Sequence, residues 1–306
     1  MIGSRNLFVI VIVLSSLLLL GVHLSTNNLE YSRCNIDWNG TSVFFSLLDP
    51  HTCREISDLS LLTDKTNSTL LIIAPGEGYS DNEIVQVRRF VEGGNTLILA
   101  DDTDVGNHLL KGIGSHIRIR PGVLASIDRA YSDSYIVTTI PIAEHPLTVR
   151  VTSLVLDKAA TLIGGESLLE SSIMSWIDSD LNRRISGGEM LGKQSVLAHE
   201  PFGKGEVIVL SDSSIFINSM TRMRDNWGNQ KFIANLIQNR PFLLIEQVKS
   251  RTVVSEGLGE VVQIIRTQLL VKLVIIALML LVIPCVEWYS SRRQAGEDVG
   301  NTEPYE

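Results

Sequence analysis

Two apolar stretches bracket this chain and constrain it more than anything between them. Residues 7–24 read LFVIVIVLSSLLLLGVHL with no charge, and residues 269–286 read LLVKLVIIALMLLVIPCV with one lysine. With its flanks, each is long enough for a helix to cross ~30 Å of hydrocarbon. Lys272 sits near one end of its stretch, where the stem can reach the interface. Trp288 and Tyr289 follow, then Arg292 and Arg293, the aromatic and basic order of a cytoplasmic boundary. A secretory signal would also open on Arg5 and an apolar run, but no A-x-A-like cleavage site follows. The expectation is a two-pass cell-membrane protein. A short cytoplasmic tail covers residues 1–6, a signal anchor 7–24, and an extracytoplasmic domain 25–240. A juxtamembrane segment covers 241–268, a second span 269–288, and a cytoplasmic tail 289–306. The sequons Asn39-Gly40-Thr41 and Asn67-Ser68-Thr69 are usable for glycosylation on the outer side.

Between the stretches, β-rich runs alternate with helical patterns. Thr69–Ala74 is a continuous apolar run, as in a strand buried on both faces. Asp81–Val91 follows, with Ile84, Val87, Phe90 and Val91 on one helical face, and Gly93-Gly94 closes it. Thr96–Ala100 is the next strand and Val105–Lys111 a short helix. That order is the βαβ signature of a doubly wound, mostly parallel α/β sheet. Later strands are expected at Ser153–Leu156, Ser195–Ala198 and Glu206–Leu210, with a closing helix over Trp227–Ile237.

The formal charge of −8 and the scattered basic residues exclude a nucleic-acid partner. Catalytic templates are missing: there is no G-x-S-x-G, no P-loop, no H-E-x-x-H and no G-x-G-x-x-G. The six histidines are dispersed, with His108 and His116 flanking one short helix. Of three cysteines, Cys285 lies in the second apolar stretch. Cys34 and Cys53 fall in the middle domain, where they either form a disulfide or remain buried thiols.

Two acidic motifs stand out. Asp101-Asp102-Thr103-Asp104 follows a strand at its carboxyl end, where open sheets bind ligands. Asp101 and Asp102 are therefore candidate ligand-binding residues; the competing use is to cap the helix that follows. The second motif runs from Asp178 to Glu189. Asp178, Asp180, Asn182 and Glu189 take the first, third, fifth and twelfth places of an EF-hand calcium loop, and Arg184 the seventh. Arg183 stands where that loop wants glycine, so the alternatives are a calcium site and a polar turn. Calcium is the one cofactor indicated.

The order of these segments resembles an uncharacterised archaeal and bacterial membrane-anchored family with a class I glutamine-amidotransferase-like, flavodoxin-like domain. The resemblance rests on Asp37–Ser42, Leu70–Asp102, Gly106–Leu110, His145–Thr148, Ser175–Glu189, Phe202–Gly205, Ser211-Asp212 and Phe216–Asn218. It implies a domain without the catalytic cysteine, since no cysteine follows an expected strand in a tight elbow. It also implies protein partners in the envelope and association with a MoxR-type ATPase system. The expected function is a non-enzymatic, membrane-anchored binding or scaffolding protein. The alternative is a hydrolase of envelope glycans working through carboxylates such as Asp101, Asp102 and Asp212.

Overall fold

The computed structural model describes residues 29–128, 131–223 and 227–253, with isolated positions between 12 and 21 and between 271 and 284. By contacts the chain divides into a unit of residues 28–253 and a unit formed by its two ends. The description below concerns the first unit.

Its strands are β1 (Cys53–Ile56), β2 (Ser68–Ile73), β3 (Thr96–Ala100), β4 (Arg118–Arg120), β5 (Val123–Ser126), β6 (Ile136–Pro141) and β7 (Leu154–Asp157). Then come β8 (Thr161–Ile163), β9 (Glu166–Ser171), β10 (Ser175–Asp178), β11 (Ser195–Phe202), β12 (Gly205–Leu210) and β13 (Phe242–Glu246). The helices are α1 (Ser42–Ser46), α2 (Asp81–Glu92), α3 (Gly106–Ile113), α4 (Asn218–Thr221) and α5 (Trp227–Ile237). Eleven strands form one sheet, ordered β1-β13-β2-β3-β12-β11-β9-β6-β7, with β8 and β4 branching from β11; β10 and β5 form a separate pair.

The core follows from the apolar runs. In β2, Leu71 and Ile73 face one hydrophobic cluster with Phe44, Phe216, Phe232 and Leu236. Leu70 and Ile72, one residue out of phase, face the other, with Ile84, Val87, Phe90 and Leu110. Both faces of β2 and β3 are thus buried, which is why their sequences show no polar alternation. Helix α2 starts on a capping box: Glu83 Oε2 accepts from the Ser80 amide at 2.6 Å.

The doubly wound, mostly parallel sheet expected from the sequence is corrected to a mixed one. β1, β13, β2, β3 and β12 run parallel, but from β12 outward the pairing is antiparallel. Among the described residues no α-helix lies between Gly114 and Ile217. A parallel crossover usually needs a helix of a dozen residues or so, so strands without one return antiparallel. The β11–β12 hairpin shows the mechanism. Gly203 turns it with φ +59°, and a Cβ there would stand 2.7 Å from Glu92 Cα. A second difference is β13. It lies beyond residue 240, where the domain was expected to end, yet it sits between β1 and β2.

The expected two-pass membrane arrangement, with its outward-facing domain, is likewise corrected. Among the described residues no helix is long and apolar enough to cross a membrane. Most of residues 7–24 and 269–288, on which both spans fall, lie outside the described residues.

Candidate functional site

The carboxyl ends of β3 and β12 place Asp101, Asp102 and Asp212 at one edge of the sheet. Asp101 is fully buried. Its Oδ1 accepts from the Thr103 amide at 2.9 Å and the Thr103 hydroxyl at 2.7 Å, and its Oδ2 from the Gly106 amide at 2.7 Å. Gly106 opens α3, so Asp101 satisfies the first free N–H of that helix. Asp212 is also fully buried: its Oδ2 accepts from the Asp157 amide at 2.9 Å, its Oδ1 from the Ser214 amide at 2.7 Å and from the Ser214 hydroxyl. Burial disfavours the charged form of both, pushing Asp101 up to about 6 and Asp212 up to about 7. Asp102 is raised as well, by burial first, against a hydrogen bond from Ser213 Oγ at 3.0 Å. Ser213 Oγ also lies 2.9 Å from the Tyr31 hydroxyl.

Above this edge the chain covers itself. Pro75 bridges Ser250, Gly76 N–H donates to the Lys249 carbonyl at 2.8 Å, and Arg251 N–H to the Ala74 carbonyl at 3.0 Å. The Arg251 guanidinium sits 4.8 Å over the Tyr31 ring and pairs with Glu30. Buried Asn218 clasps the opening loop: its Oδ1 accepts from the Val43 amide at 2.8 Å, and its Nδ2 donates to the Asn35 and Asp37 carbonyls at 3.0 and 2.7 Å. Where open sheets usually admit a ligand, residues 29–41 and 247–253 stand instead.

The acidic loop follows β10 and closes on itself. Asp178 Oδ2 accepts from the Tyr135 hydroxyl and the Arg183 amide, both at 2.7 Å, and Oδ1 from the Asn182 amide at 3.2 Å. Burial works against the Asp178 charge, but these donors outweigh it and hold the carboxyl below its usual range. Asp180 Oδ2 accepts from Asn182 Nδ2 at 2.8 Å and the Ser186 hydroxyl at 3.1 Å. Glu189 reaches back to the amides of Ser179 and Ser186 at 2.7 and 2.9 Å. The Arg184 amide donates to Asn182 Oδ1 at 2.7 Å. Asp178, Asp180 and Glu189 thus converge, within 4.8 Å of one another. Arg183 adopts φ +62°, the left-handed turn for which a calcium loop uses glycine. Its guanidinium is held by Asp133 at 2.7 Å and stacks 4.4 Å from the Tyr135 ring.

Other expected sites are dispersed. Cys53 is a free, buried thiol at the start of β1, which is the thiol reading of the two alternatives for Cys34 and Cys53. Asn39 Oδ1 accepts from Asn35 Nδ2 at 2.9 Å, while Asn67 is exposed with φ +50°. One convergence has no counterpart in the linear reading: the fold gathers His145, His199 and Glu206 at the amino end of β12. Its only signal lies in strand register, which a single sequence does not display.

With this geometry in place, comparison with known families is informative. A model described as "Domain of unknown function (DUF4350)" matches residues 34–237. The chain belongs to the DUF4350 family. This corrects the expected glutamine-amidotransferase-like kinship, since the DUF4350 domain carries a mixed sheet. No curated protein matches the chain. Among solved structures it is similar to the mmIFT52 N-terminal domain, at 13% identity and TM-score 0.44, over 60% of this chain and 80% of that one. It is also similar to the β-galactosidase of Bacillus circulans sp. alkalophilus, at 14% identity and TM-score 0.36 over 56% of this chain. A polyextremophilic β-galactosidase from the Antarctic haloarchaeon Halorubrum lacusprofundi gives 12% identity and TM-score 0.34 over 56% of this chain. The chain spans 22% of each β-galactosidase.

Proposed function

We propose that this DUF4350 domain is a non-catalytic binding or scaffolding module for a protein partner. The observation that supports it is the state of the strand-end carboxylates. Asp101 and Asp212 are fully buried, and every carboxyl oxygen of both accepts from the chain's own donors. Glycoside cleavage needs two carboxyl groups facing one cleft, about 5 to 10 Å apart. These two face none. A hollow of about 700 Å³ instead opens beside α1, α4 and α5, lined by Val43, Leu47, Ile233 and Ile237, with Arg222 the one charged lining residue among those described. Such a surface suits apolar side chains of a partner, and among the described residues no carboxylate or imidazole lines it.

The test pairs two variants of the full chain. Ala234→Trp fills the hollow; Asp102→Asn alters the strand end. Partner copurification should fall to background in Ala234→Trp, with the melting temperature retained, and persist in Asp102→Asn. Hydrolytic turnover of glycans that vanishes in Asp102→Asn would establish the hydrolase alternative instead.

A further inference from the structure

The geometry points to a transition-metal site, fitted to zinc, formed by His145, His199 and Glu206 at the amino edge of the sheet. The strand register builds it. Glu206 of β12 stands opposite Pro201 of β11, two residues from His199 on the same face, so Glu206 and His199 are diagonal neighbours. Glu166 of β9 lies directly opposite His199. His145 arrives from the turn after β6, with 7% of its side chain exposed.

The distances fit a tetrahedral ion. Ligands about 2.0–2.1 Å from zinc lie roughly 3.4 Å from one another. His145 Nε2 is 3.3 Å from Glu206 Oε2, and His199 Nδ1 is 3.9 Å from the same oxygen. All three ligand atoms fall within 4.8 Å of each other. Two imidazoles and a carboxylate are the donor set zinc favours over calcium or magnesium.

The decisive feature is His199. Its Nδ1 is buried without a hydrogen-bond partner among the described residues, while its Nε2 lies 3.3 Å from Glu166 Oε2. With the ring hydrogen on Nε2 and directed at Glu166, the Nδ1 lone pair is aimed at the cluster. This is the carboxylate–histidine–metal arrangement, in which an outer carboxylate fixes the tautomer and raises ligand basicity. Glu206 is steadied in turn: its Oε1 accepts from the Thr96 hydroxyl at 3.0 Å. His145 is the ligand that must adjust. Its Nδ1 accepts from the Leu147 amide at 3.2 Å, which places the ring hydrogen on Nε2. Metal at Nε2 shifts that hydrogen to Nδ1 and exchanges the Leu147 bond for a coordinate bond. His145 also borders an open hollow of about 530 Å³, lined with it by Glu144, Val149, Asn235 and Asn239.

The test is zinc titration of the purified full chain, free of any histidine tag, against a chromogenic chelator. One equivalent should bind, and cobalt(II) in its place should show the visible bands of tetrahedral coordination. His199→Gln should weaken zinc by ~100-fold or more, and Glu166→Gln, at an exposed outer position, by roughly 10-fold. Failure of the wild-type chain to take up zinc overturns the site, as does equal uptake by a His145→Ala/His199→Gln double variant. If that double variant does not fold, the wild-type titration and the Glu166→Gln shift decide, and an unshifted Glu166→Gln counts against the arrangement.

Discussion

Replacing Asp212 with asparagine should reverse the order of stability between the two proteins as pH rises. Burial raises the Asp212 carboxyl from 3.8 to about 7 in the folded chain. The folded state therefore holds this proton more tightly than the unfolded state does. Its contribution is fully present below the unfolded value of 3.8 and is lost as pH rises through 7. The shift is about three units; at about 1.4 kcal/mol per unit the wild-type domain loses roughly 4 kcal/mol between pH 4 and pH 8. The asparagine variant has no such loss. It carries instead a fixed cost, because its amide cannot accept on both sides: one of the Asp157 and Ser214 amides is left without a partner. That cost is about 1–3 kcal/mol and independent of pH. The variant should thus be weaker than wild type by about 1–3 kcal/mol at pH 4 and stronger by a similar amount at pH 8. Asp101, raised to about 6, acts in the same direction in both proteins and cancels from the difference. Urea midpoints at five pH values between 4 and 8 measure it. A gap between the two proteins that stays constant with pH would mean that Asp212 titrates as a hydrated carboxyl. The carboxyl edge would then be open to solvent and to ligand, and the reasoning against a carboxylate-based hydrolase would fail.

The acidic loop yields two further expectations. Its carboxylates already hold the chain's own donors, so several millimolar calcium should leave the melting temperature unchanged; a rise abolished by Asp180→Ala would show a calcium site. Arg183 lies at φ +62°, so Arg183→Gly should be more stable than Arg183→Ala by about 1 kcal/mol, both having lost the Asp133 pair; equal urea midpoints would rule out backbone strain there. In the core, Phe44 is fully buried with its ring 4.9 Å from that of Phe216, and Phe44→Ala should cost about 3–5 kcal/mol by chemical denaturation, a loss under 1 kcal/mol contradicting the packing.

The parts legible in the sequence are those whose signals are local. The apolar runs of β2 and β3, the apolar face of α2 and the closing helix α5 each declare themselves within a dozen residues. Asp101 could be read as a cap because it stands just before a helix, and the inward turn of Asp178–Glu189 because its spacing is periodic. What stayed hidden depends on distant partners. β4, β5, β6, β8, β9 and β10 are three to six residues long and carry no helical crossover to order them. β13 is a five-residue run well removed from its neighbours in sequence, and its place between β1 and β2 follows only from pairing. Cys34 and Cys53 share a domain, but spacing does not report whether their Cα atoms approach within bonding range.

Strand β12 connects the two edges on which the functional argument rests. At its carboxyl end Ser211, Asp212 and Ser213 are buried in a polar network that ties β7, Asp102 and Tyr31 together. At its amino end Glu206 faces two imidazoles beside an open hollow. The usual ligand edge of an open sheet is its carboxyl edge. Here residues 29–41 and 247–253 lie over that edge, and the proposed ligand chemistry is at the amino edge and in the apolar hollow beside α5. The amino edge is also the better braced of these two. A Cβ at Gly205 would stand 2.0 Å from the Asn95 carbonyl oxygen and 2.4 Å from that of Val91, so the hairpin start lies against backbone that side chains cannot displace. A rigid hairpin fixes Glu206 and His199 relative to each other before any ion arrives, and preorganisation of this kind is what a metal site requires of its scaffold.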